Sequence, residues 1–385
     1  MKKIFIFGSS GSIGRNALDV IRKAKEKFSV AGLCVYRNVK MLEKQVKEFS
    51  PRYVCIVNEN AAKKAKAVLP RGIKIFSGER GLDEFSSLPS DISLVGISGI
   101  SCLRPLLINI KAAQRIALAN KESLVVGAEL VKELAQRYGT EILPVDSEIN
   151  ALFQLLGCTQ KDQLEKVFLT ASGGALLDWG RHKLGRVAAR DVLQHPTWKM
   201  GKRITVDSAT LVNKAFEVIE AHQFFDLDYS SIDIVIHRES KVHALVEMRD
   251  GIIFSCVYNS DMRIPIGHAL YYPQRIPLFK NNSLCIKGNA VHTFQPVDTK
   301  KFPLLKLILR AAQRGDNSLA IMNACDEVAI DYFLQGKIKF TAIYKVLEYF
   351  FSHYKRSTLA TQRDIFHWDG WARIKTKEYL EKRCC

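Results

Sequence analysis

Ile4-Phe5-Ile6-Phe7-Gly8-Ser9-Ser10-Gly11-Ser12-Ile13-Gly14 is the stretch that decides the fold of this chain. Four consecutive apolar residues suit a strand buried on both faces. Three glycines then punctuate a turn, and helical spacing follows between Ser12 and Lys27, carried by Ile13, Ala17, Val20, Ile21 and Ala24. G-x-x-G-x-x-G between a strand and a helix is a variant of the dinucleotide fingerprint. Glycines permit the tight turn and a close backbone approach to a pyrophosphate, and the helix N-terminus supplies amide donors. A glycine-rich turn in an α/β domain that binds no nucleotide remains the alternative.

Outward from this turn the pattern alternates. Val30 to Tyr36 reads as a second strand, Met41 to Phe49 as a helix and Tyr53 to Val57 as a third strand; Ile92 to Ile97 and Arg115 to Leu118 follow. Alternation of this kind predicts a parallel sheet covered on both faces, a Rossmann-like α/β domain. The second strand ends in Tyr36-Arg37-Asn38. An NAD site usually offers a carboxylate there for the ribose hydroxyls. A guanidinium instead can fork onto a 2′-phosphate, which favours NADP over NAD. A solvated Arg on a basic protein is the competing explanation.

The whole chain sets the bounds. Its 385 residues fit two to three domains. A hydrophobic share of 47% with 25% charged residues excludes a disordered chain. No apolar run approaches the ~18 residues of a membrane span. The N-terminus enters a strand directly, with neither a signal-peptide core nor an Arg/Ser-rich transit segment. The net charge of +18 calls for an anionic partner: nucleic acid, a membrane surface or phosphorylated small molecules. Nine scattered cysteines without a C-x-x-C pair suit reduced thiols and a cytoplasmic location.

Past residue 145 the texture changes. Gly, Ser, Thr and His gather between 170 and 210, and Asp250-Gly251 between Val242–Met248 and Ile252–Tyr258 signals a hairpin. Beyond Phe302, helical spacing covers Leu304 to Arg314, Ser318 to Leu334 and Thr341 to His353. The expected division is 1–145, a nucleotide-binding domain; 146–300, a central α/β domain; and 301–385, a helical domain.

Pro144-Val145-Asp146-Ser147-Glu148 follows a short strand, Glu141 to Leu143. If the chain stays extended, Asp146 and Glu148 share one side. Two neighbouring carboxylates then call for a divalent cation; a helix N-cap at Asp146 or Ser147 explains the same letters without metal. From Ser208 or Thr210 a helix is expected to run through Glu217, putting Asn213, Lys214 and Glu217 on one face. That face is either a surface stripe or part of a site for a phosphorylated substrate beside a metal. Thr170-Ala171-Ser172-Gly173-Gly174 offers a turn able to line an anion site. His195-Pro196-Thr197-Trp198-Lys199-Met200-Gly201 suits a mobile lid, a buried structural Trp being the alternative.

Together these segments resemble the 1-deoxy-D-xylulose 5-phosphate reductoisomerase family. Added to the segments above are Ala119-Asn120-Lys121-Glu122-Ser123-Leu124, Met200-Gly201-Lys202, Val206 to Glu217 and Asp261-Met262-Arg263-Ile264-Pro265-Ile266. The motifs run in the family's order across nearly the whole chain.

The resemblance implies a homodimer acting in the methylerythritol phosphate route to isoprenoid precursors. The activity is NADPH-dependent rearrangement and reduction of 1-deoxy-D-xylulose 5-phosphate to 2-C-methyl-D-erythritol 4-phosphate. It implies that Asp146, Glu148 and Glu217 bind Mg²⁺ or Mn²⁺, with Co²⁺ a further option. Lys121, Ser147, Glu148, Ser172, His195, Ser208, Asn213, Lys214 and Glu217 would contact the sugar phosphate, and Trp198 and Met200 would cover it from a lid near 180–202, with Met262 nearby. Ser10, Gly11, Ser12, Ile13, Arg37, Asn38, Asn120, Glu122 and Gly201 would contact NADPH. Lys121, Asp146, Glu148, His195 and Glu217 would carry the catalysis. Four departures from the family pattern stand out: Ser10 for Thr, Tyr36 for Gly, Ile149 for His, and His237-Arg238-Glu239-Ser240 for H-P-Q-S.

Two other functions compete. One is an NADP-linked dehydrogenase that reduces a phosphorylated carbonyl compound without rearrangement. The other is a basic nucleic-acid binder, against which stand the spread of Lys and Arg along the chain and the lack of an aromatic-basic module. Neither nucleic acid nor a membrane is expected as partner.

Overall fold

The computed structural model describes every residue except Lys25, Lys199, residues 278–290 and Cys385, so two of the nine cysteines, Cys285 and Cys385, lie outside the described residues. It forms two compact units. One holds the described residues of Met1–Ser123, Gly127–Asn150 and Asp261–Asn282; the other holds those of Leu124–Val126, Ala151–Ser260 and Ser283–Cys385.

The first unit is built on seven strands: β1 (Lys2–Phe7), β2 (Phe28–Val35), β3 (Tyr53–Ile56), β4 (Lys74–Ser77), β5 (Ser90–Val95), β6 (Ala113–Leu118) and β7 (Glu141–Pro144). All neighbours pair in parallel, in the order β4-β3-β2-β1-β5-β6-β7. The order reverses beside β1, which creates a crevice at the strands' C-terminal ends. Gly8 to Gly14 lies at that point. Ile4, Phe5, Ile6 and Phe7 are at most 1% exposed, as a doubly covered central strand requires.

The connecting helices are α1 (Ser12–Arg22), α2 (Val39–Phe49), α3 (Glu59–Val68), α4 (Gly78–Ser86), α5 (Leu103–Asn109), α6 (Lys121–Tyr138) and α7 (Ser147–Leu156). Helix α1 stops at Arg22, short of the expected Lys27. The chain turns through Ala24, whose amide bonds to Ile21 O, and reaches β2 already at Phe28.

The second unit carries β8 (Leu164–Ala171), the short helix α8 (Ala189–Val192), α9 (Lys202–Thr210), α10 (Val212–Phe225), β9 (Ile232–Ile236), β10 (Val242–Met248) and β11 (Ile253–Val257). Helix α11 (Arg263–Tyr271) belongs to the first unit and packs on α1, with the Phe28 and Tyr271 rings edge to face at 4.8 Å. The chain continues in the second unit through β12 (Gln295–Pro296), α12 (Pro303–Ala312), α13 (Ser318–Leu334), α14 (Phe340–His353) and α15 (Gln362–Cys384). Its five-stranded sheet has the order β11-β10-β8-β9-β12 and is mixed, only β8 and β9 being parallel. The hairpin turns at Gly251, whose φ of +87° glycine adopts without strain.

One expected helix is two. The run entered near Ser208 is broken at Leu211, which sits at φ +62°, ψ +15° and ends α9 just as α10 begins. The Thr210 hydroxyl accepts from Val212 N at 3.4 Å, a local side-chain bond that competes with the helical ladder. Among the described residues no helix is long and apolar enough to cross a membrane.

Candidate active site

The glycine turn is shaped for close approach. Gly8 sits at φ +83°, and a Cβ on Gly14 would lie 2.5 Å from both Gly8 O and Ser9 Cα, so no other residue fits there without moving backbone. Gly11 is the N-cap of α1, and no side chain caps that end. Ser10, Gly11, Ser12 and Ile13 therefore line a helix N-terminus able to take a pyrophosphate. Arg37 and Asn38 are exposed at the end of β2, and Asn38 caps α2 by accepting from Met41 N at 3.1 Å. Tyr36 is also exposed, at 63%.

Asn120 and Glu122 tie the loop after β5 to the start of α6. Asn120 Nδ2 donates to Ile97 O at 2.9 Å and to Glu122 Oε2 at 2.8 Å, and Gly99 N donates to Glu122 Oε1 at 3.2 Å. Both side chains thus brace the crevice wall. Gly201, exposed, is the N-cap of α9.

Asp146 and Glu148 do not lie on an extended strand. Helix α7 starts at Ser147; Asp146 O accepts from Asn150 N, and Asp146 Oδ1 accepts from Glu148 N at 3.3 Å. The helix-start geometry, rather than strand alternation, therefore sets the spacing of these two carboxylates. Lys121, 6% exposed, places Nζ 2.7 Å from Asp146 Oδ2. Ser147 Oγ donates to Glu148 Oε2.

On α10 the expected face is present. Asn213 Nδ2 and Lys214 Nζ both donate to Glu217, which is 1% exposed. Asp146, Glu148 and Glu217 each bring one carboxylate oxygen to within 4.8 Å of the others. Three anionic oxygens so close repel unless cations share the field. An all-oxygen donor set suits a hard divalent ion such as Mg²⁺ or Mn²⁺. Lys121 at Asp146 and Lys214 at Glu217 compensate part of that charge.

A second polar group forms in the other unit. His195 Nδ1 accepts from Thr197 N at 3.2 Å and Trp198 N at 2.9 Å, so the ring proton must sit on Nε2. Nε2 faces Ser172 Oγ at 3.0 Å and Ser208 Oγ at 3.2 Å. Burial pushes the His195 pKa down, which holds the ring neutral in this tautomer. Both serine oxygens accept from the ring, and their own protons are left to donate elsewhere. That arrangement suits an oxyanion.

Trp198 is half-buried, its ring 6.1 Å from that of His243, which in turn stacks on Tyr258 at 3.8 Å. Thr197 Oγ1 meets Ser240 Oγ at 3.3 Å. Ser240 stands in the sequence only as part of a motif departure, and His243 on β10 and Tyr258 just after β11 carry no local mark, because nothing nearby in the chain identifies them as a seat for a loop more than forty residues earlier. Of the remaining departures, Ile149 is fully buried, and Arg238 forms an exposed ion pair with Asp178.

Comparisons with known proteins agree over the whole chain. Family models match residues 4–128 (1-deoxy-D-xylulose 5-phosphate reductoisomerase), 142–225 (the C-terminal domain of the same enzyme) and 258–375 (DXP reductoisomerase C-terminal domain). A 1-deoxy-D-xylulose 5-phosphate reductoisomerase of Caldanaerobacter subterraneus subsp. tengcongensis is 41% identical over 383 residues, covering 100% of this chain and 99% of its own. One of Thermodesulfovibrio yellowstonii is 40% identical over 384 residues, covering 99% and 100%. Among solved structures, the Zymomonas mobilis reductoisomerase in complex with NADPH superposes with a TM-score of 0.88 at 32% identity, covering 99% of both chains. A DOX-P reductoisomerase in complex with NADPH, fosmidomycin and magnesium gives 0.89 at 32% identity, covering 99% of this chain and 98% of that one.

Proposed function

The chain belongs to the 1-deoxy-D-xylulose 5-phosphate reductoisomerase family, and on that premise we propose that it converts 1-deoxy-D-xylulose 5-phosphate to 2-C-methyl-D-erythritol 4-phosphate with NADPH, in isoprenoid precursor biosynthesis. The observation that carries this reading is the convergence of Asp146, Glu148 and Glu217. It is tested by NADPH oxidation with 1-deoxy-D-xylulose 5-phosphate, with and without chelator, and by identifying the product. A branched tetrol phosphate supports rearrangement; a linear reduced alcohol identifies a simple dehydrogenase.

Ser10, Gly11, Ser12, Ile13, Arg37, Asn38, Asn120, Glu122 and Gly201 would hold NADPH, and Asp146, Glu148 and Glu217 a divalent cation. When bound, the nicotinamide supplies hydride and the cation, Mg²⁺ with Mn²⁺ or Co²⁺ as substitutes, supplies Lewis acidity at substrate oxygens. Lys121 Nζ, fixed against Asp146, holds a proton and a positive charge where substrate oxygens gain negative charge. Ser147 orients Glu148, and Asn213 and Lys214 orient Glu217. Neutral His195 holds Ser172 and Ser208 as donors for the substrate phosphate, so binding energy remote from the reacting carbons positions them. Trp198 and Met200, on the lid near 180–202, exclude water from the aldehyde intermediate.

The division into 1–145, 146–300 and 301–385 draws support from the sheets, although Asp261–Asn282 groups with the first unit and the central and C-terminal segments group together. The seven-stranded sheet lies within 1–145, the five-stranded sheet within 146–300, and α12 to α15 within 301–385. The chain works as a homodimer. Supporting this, β11 is an edge strand with Ile253 55% and Phe254 43% exposed, next to Ile252 at 53%. A bare apolar edge of that kind invites pairing with a second copy. The setting is cytoplasmic, consistent with the free thiols of Cys34, Cys55, Cys102, Cys158, Cys256 and Cys325.

A further inference from the structure

Ser9 carries the buried side chain of the glycine turn, Ser10 and Ile13 being half-buried and Ser12 exposed. It is fully buried, and its hydroxyl donates to Gln45 Oε1 at 2.8 Å while Gln45 Nε2 donates back to Ser9 O at 2.8 Å. Gln45 is itself 5% exposed, in the second turn of α2 from its start. The pair closes a two-bond clamp between the turn and a helix. Helix α2 begins directly after Arg37 and Asn38. Buried Leu42 and Val46 give the helix an apolar seat, but apolar packing alone tolerates sliding. Directional hydrogen bonds do not: a slip of one of the ~1.5 Å steps along a helix would leave two buried polar groups of Gln45 unpaired. Gly8 N and Ser9 N also donate to Cys34 O, so the turn is pinned to β2 as well.

We propose that Gln45 is a positioning residue for cofactor choice: it fixes the distance between the pyrophosphate turn and the Arg37-Asn38 segment, so that a dinucleotide held at one end meets the guanidinium at the other. The proposal rests on the reading of Arg37 as the residue that receives the 2′-phosphate. The buried Gln45 side chain acts through Ser9, with which it exchanges two hydrogen bonds. Its effect falls on NADPH affinity relative to NADH, and only weakly on steps that follow binding.

The test is the dissociation constant of each nucleotide, read by nucleotide fluorescence without substrate, for wild type, Q45L, S9A, R37A and the Q45L/R37A double variant, with thermal midpoints alongside. Q45L is expected to weaken NADPH about tenfold and NADH about twofold or less, and S9A, which keeps the bond from Gln45 Nε2, to do the same to a smaller degree. R37A is expected to abolish the preference, and the double variant to match it. If R37A loses the preference and Q45L keeps it, the clamp has no role in selectivity and the proposal is overturned. Equal weakening of both nucleotides by Q45L also overturns it, since the residue then merely supports the turn. If R37A retains the preference, the Arg37 reading fails, whereas the clamp still stands or falls with the Q45L ratio. Should Q45L lower the thermal midpoint sharply, S9A decides by the same ratio.

Discussion

His195 Nε2 stands 3.0 Å from Ser172 Oγ and can only donate there, because Nδ1 accepts from two backbone amides and leaves the ring proton on Nε2. A histidine fixed this way is a positioning device: it orients serine hydroxyls outward without carrying charge itself. H195N should therefore raise KM for 1-deoxy-D-xylulose 5-phosphate by about 10-fold or more, the cost of about 1–2 kcal/mol of misaligned hydrogen bonds. The NADPH dissociation constant should stay within about twofold. Steady-state kinetics and nucleotide titration check both. An unchanged KM removes His195 from the phosphate site.

The apolar edge of β11 makes the dimer testable. I253D and F254E place charge on an exposed strand and should cost a monomer little, since neither residue is buried. In a dimer paired along that edge, they bury charges against a like strand. Sedimentation should then show a shift to monomer, at unchanged thermal stability of the isolated chain. A wild-type-like dimer in both variants would place the interface elsewhere.

His268 gives the stability a pH dependence. Its ring is lodged beside Asn150, and burial, then the charges of Arg275 and Arg115, lower its pKa from 6.5 to about 4. The native state thus binds fewer protons than the unfolded chain between these values. Stability from this group is complete above pH 6.5 and declines as pH falls towards 4. Because the ring is partly exposed, the loss between about pH 7.5 and pH 5 should be about 1–2 kcal/mol in urea unfolding. H268Q should flatten that slope; an unaltered slope assigns it to other groups.

How much of this was legible in the sequence depended on whether the signal was local. The strand Ile4–Phe7 and the three glycines announced the nucleotide crevice, because a doubly buried strand and a positive φ each leave a mark in the letters. Asp250-Gly251 announced its hairpin in the same way. Asp146 and Glu148 come together with Glu217, but through the helix start that the letters also allowed and not through strand alternation: α7 begins at Ser147. The break at Leu211 left no glycine or proline to betray it. Ile232-Asp233-Ile234-Val235-Ile236 carries a strand-like β-branched run, and it forms β9. Gln45, His243 and Tyr258 act through partners about fifteen to forty-five residues away, and single-chain periodicity does not register such pairs.

The central claim is that Asp146, Glu148 and Glu217 share one divalent ion. The most direct measurement is Mn²⁺ titration of the intact chain followed by electron paramagnetic resonance, on wild type, D146N, E148Q and E217Q, with NADPH affinity measured in parallel. The account predicts one Mn²⁺ per chain, weakened at least about 10-fold in each variant, because each loses an anionic oxygen ligand, while NADPH binding stays within about twofold. Undiminished Mn²⁺ binding in any one of the three variants, or loss of NADPH binding in step with the metal, would contradict it.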